Sequence, residues 1–165
     1  MYKKVFQILA DNSSGVLSRI SGLFSRRGYN IESITAGVTA DPKFTRITIV
    51  ASGEEDVLEQ IEKQVAKLVD VRNIQELIPD QSVYRELALV KVKTDAKKRN
   101  DVKSIVDFYK AKIIDVSYDS LIIEITGNSA KIDSFLDLLR DYEILELART
   151  GIAGLGRGSE GVVYL

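Results

Sequence analysis

The chain of 165 residues contains no cysteine and no histidine. Without cysteine there is no disulfide framework, no thiolate metal site and no cysteine nucleophile. Without histidine the most frequent general base and the most frequent zinc ligand are missing, so any chemistry falls to carboxylates, lysine, tyrosine or serine. Charge of one sign is not in excess either. Up to Ile78 there are ten basic and ten acidic residues, thirteen and fourteen follow, and the net charge is -1. Neither half has the basic bias of a nucleic-acid binder. No apolar run approaches the length of a membrane span, and no signal or transit segment precedes the first strand-like run, so the cytoplasm is the expected compartment. What remains is ordinary globular composition, 45% apolar and 28% charged, at a length that suits one large domain or two small ones.

The most informative stretch is DNSSGVLSRISGLFSRRGYNIESI, residues 11 to 34. Asn12, Ser13, Ser14 and Gly15 are small and polar. They lead into Val16, Leu17, Ile20, Leu23 and Phe24 at helical spacing, with Arg26, Arg27 and Gly28 marking the stop. A loop of this kind presents unpaired backbone N–H groups toward one point, with the positive end of the helix dipole behind them. Two readings of the loop stay open on these residues alone: a helix cap and an anion site. Asn30 favours the second, because it is expected to begin a strand beside that loop and its amide can donate or accept without introducing charge.

Residues 3 to 10 give a strand apolar on both faces, which predicts a central position. Residues 30 to 39 give a second strand whose apolar phase shifts after Ile31, predicting an irregular start. FTRITIVA, from Phe44, returns as its hairpin partner. Glu54, Glu55 and Asp56 open a helix whose buried stripe is Val57, Leu58, Ile61, Val65 and Leu68, and VDVRNIQEL closes the unit. The same order then recurs. ELALVKVKT, a helix face of Val102, Ile105, Val106 and Tyr109, the hairpin IIDVSY and LIIEIT, a helix with Ile132, Phe135, Leu136 and Leu139, and ILELAR make a second copy. The predicted fold is α+β: two tandem ferredoxin-like βαββαβ sandwiches, residues 1 to 78 and 79 to 165. The strand from Asn30 should lie at a sheet edge with neither proline nor lysine to block pairing, so homodimerisation through these edges is expected.

The second copy's opening loop, TDAKKRND, lacks glycine. Close approach of backbone to a ligand favours glycine, which assigns sensing to the first copy. Lys97, Lys98 and Arg99 read as solvated loop charge, and Tyr29 and Tyr109 as packing residues. GIAGLGRGSEG, from Gly151, fails as a dinucleotide fingerprint because no helix or strand follows it, and it is expected to be a flexible or partner-ordered tail.

NSSGVLSRISGLFSRRGYNIESI, TRITIVASGEEDVLEQIEKQVAKLVDV and ARTGIAGLGRG resemble the small regulatory subunits of acetohydroxyacid synthase, also called acetolactate synthase, over nearly the whole chain. The first copy resembles an ACT domain, a module that commonly binds amino acids. The resemblance implies a non-catalytic partner of the catalytic subunit that raises its activity and confers inhibition by valine or another branched-chain amino acid. It implies no cofactor in this chain, with thiamine diphosphate, Mg and FAD on the partner, and no nucleic-acid or membrane partner. It further implies an effector site between two chains, formed by Asn12, Ser13, Ser14, Gly15, Val16 and Leu17 of one and Asn30, Ile31, Ile34, Thr35 and Ala36 of the other. Position 36 is alanine where other members can carry valine. The competing reading is a stand-alone ACT-type sensor acting on another enzyme or a transcription factor.

Overall fold

The computed structural model describes residues 1–161. The chain forms two compact units, Met1–Val83 with the segment from Ile152 onward, and Tyr84–Gly151. In the first, β1 (Tyr2–Asp11) leads into α1 (Val16–Arg26), β2 (Asn30–Val38), β3 (Phe44–Gly53), α2 (Glu55–Val65) and β4 (Val71–Glu76). The sheet is antiparallel in the order β2-β3-β1-β4, so β1 is central and β2 lies at an edge, as the apolar patterns predict. Phe6, Ile8 and Ala10 share one face with Ile47, Ile49 and Ala51. They pack beneath Ile20 and Phe24 of α1 and Leu58, Ile61 and Val65 of α2, all buried. The expected irregularity in β2 is a register shift between Ile31 and Ser33. It turns Ile34 and Ala36 to the same face as Ile31, opposite Ile49 and Ile47.

A single 3-10 turn, Pro79–Gln81, leads to β5 (Ser82–Lys93), and the second unit repeats the order with α3 (Arg99–Phe108), β6 (Lys112–Val116), β7 (Ser120–Gly127), α4 (Ser129–Leu138) and β8 (Ile144–Arg149). Its strands run β6-β7-β5-β8. Val90, Val92, Ile123 and Ile125 are buried against Val102 and Val106 of α3 and Ile132 and Phe135 of α4. Both copies are therefore βαββαβ sandwiches. Tyr109 stacks edge-on against Phe135 at 5.4 Å and Tyr29 against Phe24 at 5.6 Å, the packing roles expected of them.

The units differ from the expected pieces in two respects. β5 begins at Ser82 rather than Glu86, so the change of unit falls after Val83 and not after Ile78. The glycine-rich segment is ordered as far as it is described. It forms β9 (Ala153–Gly156), and it belongs to the first unit. Arg46 Nη2 donates to Gly154 O at 2.7 Å and the Arg157 N–H to Gln81 O at 2.7 Å. The predicted second piece, residues 79 to 165, ends in residues 162–165, which lie outside the described residues.

Candidate functional site

At the start of α1 the N-cap is Gly15, with φ 86°, and no side chain accepts from the first turn, which also holds no acidic residue. Asn12 is engaged elsewhere: its N–H donates to Lys43 O at 2.8 Å and its Nδ2 to Pro42 O at 2.9 Å, tying the loop to the β2–β3 turn. Ser13 and Ser14 are exposed, and the Val16 N–H reaches Ser13 O only at 3.4 Å. The cap reading therefore holds for Gly15, while Asn12, Ser13 and Ser14 supply no side-chain cap. Val16 is buried as an anchor and Leu17 is 44% exposed. The helix start keeps donors and positive potential directed outward, which suits a carboxylate.

The corresponding helix of the second unit is built differently. Asp95 Oδ1 accepts from the N–H groups of Lys97 at 2.9 Å and Lys98 at 2.8 Å. The Lys98 N–H is the main reason its carboxyl is held below the usual range. The turn leading into that helix therefore carries its own carboxylate, whereas the turn leading into α1 carries none. Arg99 is not solvated loop charge: its Nη2 donates to Ser117 O at 2.6 Å and also to Tyr118 O.

Two residues beside the loop escaped the sequence reading. Arg19 donates from Nε to Asp70 and approaches Ser14 O at 3.4 Å from Nη2. A Cβ on Gly15 would stand 2.9 Å from Arg19 Nη1. The only signal was the spacing of four from Gly15 to Arg19, one helical turn. Asp70 lies 51 residues further on and could be paired with it only by the fold.

Asn30 is the point at which the structure overturns an expectation. Its Nδ2 donates to Ser52 Oγ at 2.9 Å, and it pairs with Ser52, while the loop follows Asp11, which pairs with Phe44. Ser52 and Phe44 are opposite ends of β3, roughly 26 Å apart at the rise of a strand. Asn30 does not lie beside its own loop, because α1 carries the chain from one end of the sheet to the other before β2 begins. Within one chain the group 12–17 and the group 30–36 stay apart at their starts. Along β2, Ile31 is half-buried against the core, Thr35 pairs with Thr48, and Ile34 and Ala36 are exposed.

Among the described residues no group of three or more acidic side chains could hold a metal ion, and no helix is long and apolar enough to cross a membrane. The most strongly coupled charges are structural. Arg149 donates to both Glu86 carboxylate oxygens at 2.9 Å and to Asp133 at 2.8 Å, and Ser129 adds a bond to Glu86 at 2.9 Å.

Comparison with known proteins bears on both units. Residues 6–73 match a family model described as an AHAS small subunit-like ACT domain, and residues 85–158 match the small subunit of acetolactate synthase. The isozyme 3 small subunit of acetolactate synthase from Escherichia coli is 45% identical over 159 residues, covering 96% of this chain and 98% of that protein. A probable acetolactate synthase small subunit from Methanothermobacter thermautotrophicus is 46% identical over 156 residues, covering 94% and 93%. The crystal structure of the small subunit from Thermotoga maritima superposes with a TM-score of 0.88 at 38% identity, covering 97% of this chain and all 100% of that one.

Proposed function

The chain belongs to the family of acetolactate synthase small subunits, and from that premise we propose that it is a non-catalytic subunit which activates the catalytic subunit in the cytoplasm and makes it sensitive to valine. In this reading thiamine diphosphate, Mg and FAD reside on the catalytic partner. The observation that carries the sensing role is the difference between the turns that lead into the two helices: the Asp95 carboxylate accepts from the Lys97 and Lys98 N–H groups just before α3, and no side-chain carboxylate accepts from the corresponding turn before α1.

The effector carboxylate docks at the N–H groups of residues 14 to 17, where the helix terminus contributes ~0.3–1 kcal/mol for each favourable charge contact. The separation of Asn30 from its own loop supports a site made by two chains. A two-fold pairing of β2 edges that sets Asn30 opposite Val38 brings the Asn30 end of one chain to the loop end of the other. Asn30 and edge carbonyls then meet the ammonium, and Ile34 and Ala36 border the side chain. Burying an isopropyl group adds ~1.5–3 kcal/mol, and an extra methylene only about 0.8, so isoleucine should compete.

The test is reconstitution with the catalytic subunit, assayed for acetolactate formation with and without valine. Stimulation that valine reverses is the expected result; turnover by the isolated chain would contradict it. Calorimetric titration of valine into wild type and Asn30→Ala should show binding lost in the variant, and equal binding would remove Asn30 from the site.

A further inference from the structure

The face of the first sheet away from its helices carries a second set of ligand-capable groups, remote from the start of α1. The pairs Leu9 with Arg46 and Gln7 with Thr48 put Arg46 and Gln7 on this face, and Gln75 joins them beside Gln7. The returning tail lies over it and leaves a cavity of about 310 Å³. Arg46 lines that cavity, donating from Nη2 to Gln7 Oε1 and Gly154 O.

Those two bonds use two of the five guanidinium donors. Nε and Nη1 have no partner among the described residues, and no carboxylate there pairs with Arg46. A half-buried cation balanced only by an amide and a carbonyl favours an anion beside it. Burial also lowers the Arg46 pKa from its usual value. The remaining wall is mixed. Leu77, Ile78 and Leu155 supply aliphatic surface, and Arg157 adds a second positive charge. Of the two acidic groups, Glu76 is paired with Lys4 at 3.1 Å, and Glu160 stands on the exposed tail.

We propose that the cavity between Arg46 and the glycine-rich tail binds a carboxylate on a short aliphatic body, at a site separate from the loop before α1. The carboxylate meets the unused donors of Arg46, and the aliphatic part lies against Leu77 and Leu155. The assignment is independent of the valine site, since it shares no residue with it.

The experiment is titration of isobutyrate into the full-length chain, followed by the Arg46 Nε–H and the Gly154 and Gly156 amide resonances. Saturable shifts at these positions are expected, weakened at least about tenfold by Arg46→Gln, which removes a charge-assisted contact. Because Arg46 also holds the tail, Leu155→Asp provides the second variant: Leu155 is 62% exposed, and a carboxylate there should exclude the ligand with the fold intact. Comparing isobutyrate with valine in the Asn30→Ala protein separates a free acid from an amino acid as the source of the carboxylate, and shifts at Arg46 with either support the site. Absence of shifts at these positions, shifts confined to residues 12–17, or equal affinity for inorganic phosphate would overturn it.

Discussion

Alanine at Gly15 meets two separate penalties. Its φ of 86° disfavours any side chain by about 1–2 kcal/mol, and its Cβ would displace Arg19, which Asp70 holds in place. Gly28 has a φ of +68° and nothing within 4 Å of an added Cβ, so it isolates the backbone part. Gly15→Ala should therefore lose more stability in urea than Gly28→Ala, and only Gly15→Ala should weaken valine binding by calorimetry. Glu86 gives a pH prediction. Hydrogen bonding from Arg149 holds its carboxyl below the usual range, against the opposing effect of burial, with Ser129 assisting. A folded-state pKa below the unfolded value gives stability that is present above about pH 4.3 and fades as the pH falls through the folded value. Glu86→Gln should cost about 1.5–3 kcal/mol at pH 7, because it removes charge-assisted bonds while Arg149 keeps its bond to Asp133, and should flatten the acid limb of the stability curve. Thermal melts of both proteins between pH 3 and 7 check this. The Gly15 constraint was legible as a glycine at a helix start, but the ion pairs of Arg19 and Arg149 join residues far apart in the chain and become visible only once the strands are in register.

At the scale of elements, β2 holds most of what the sequence revealed and most of what it concealed. The phase shift after Ile31 announced its bulge, and the lack of proline and lysine announced an open edge, because both follow from local side-chain pattern. Its direction relative to the loop was not legible. That depends on α1 spanning the sheet, which returns the chain at the far end and leaves Asn30 opposite Ser52. The consequence is a definite symmetry prediction. A pairing that places Asn30 opposite Val38 has its two-fold axis at residue 34. Ile34→Lys would set two ammonium groups against each other across that axis, and like charges directly opposite destabilise strand pairing. Sedimentation should show a dimer for wild type and a monomer for Ile34→Lys, with the far-ultraviolet spectrum unchanged. A dimer that survives this substitution would place the axis elsewhere.

For the whole molecule, the twofold repeat of strands and helices could be counted directly from apolar periodicity, since each element is long enough to show its own. The segment after Thr150 could not be placed in this way. It is short and rich in glycine, and its position is fixed by bonds to Gly154 O and Gln81 O, backbone groups that leave no mark in the side-chain pattern. Its return to the first unit has a measurable consequence. A chain ending at Thr150 loses the acceptor at Gly154 and the donor at Arg157, while the Glu86–Arg149 network and the buried residues of the second unit remain intact. Two hydrogen bonds at about 1 kcal/mol each, together with renewed exposure of Gln7 and Arg46, set a loss of at least about 2 kcal/mol in the first unit. Native-state amide exchange resolves this by position. Protection in β1 and β3 should fall, and protection at Val90, Val92 and Ile123 should hold. Uniform loss across both units, or none in β1 and β3, would show that the tail does not stabilise the first unit through these contacts.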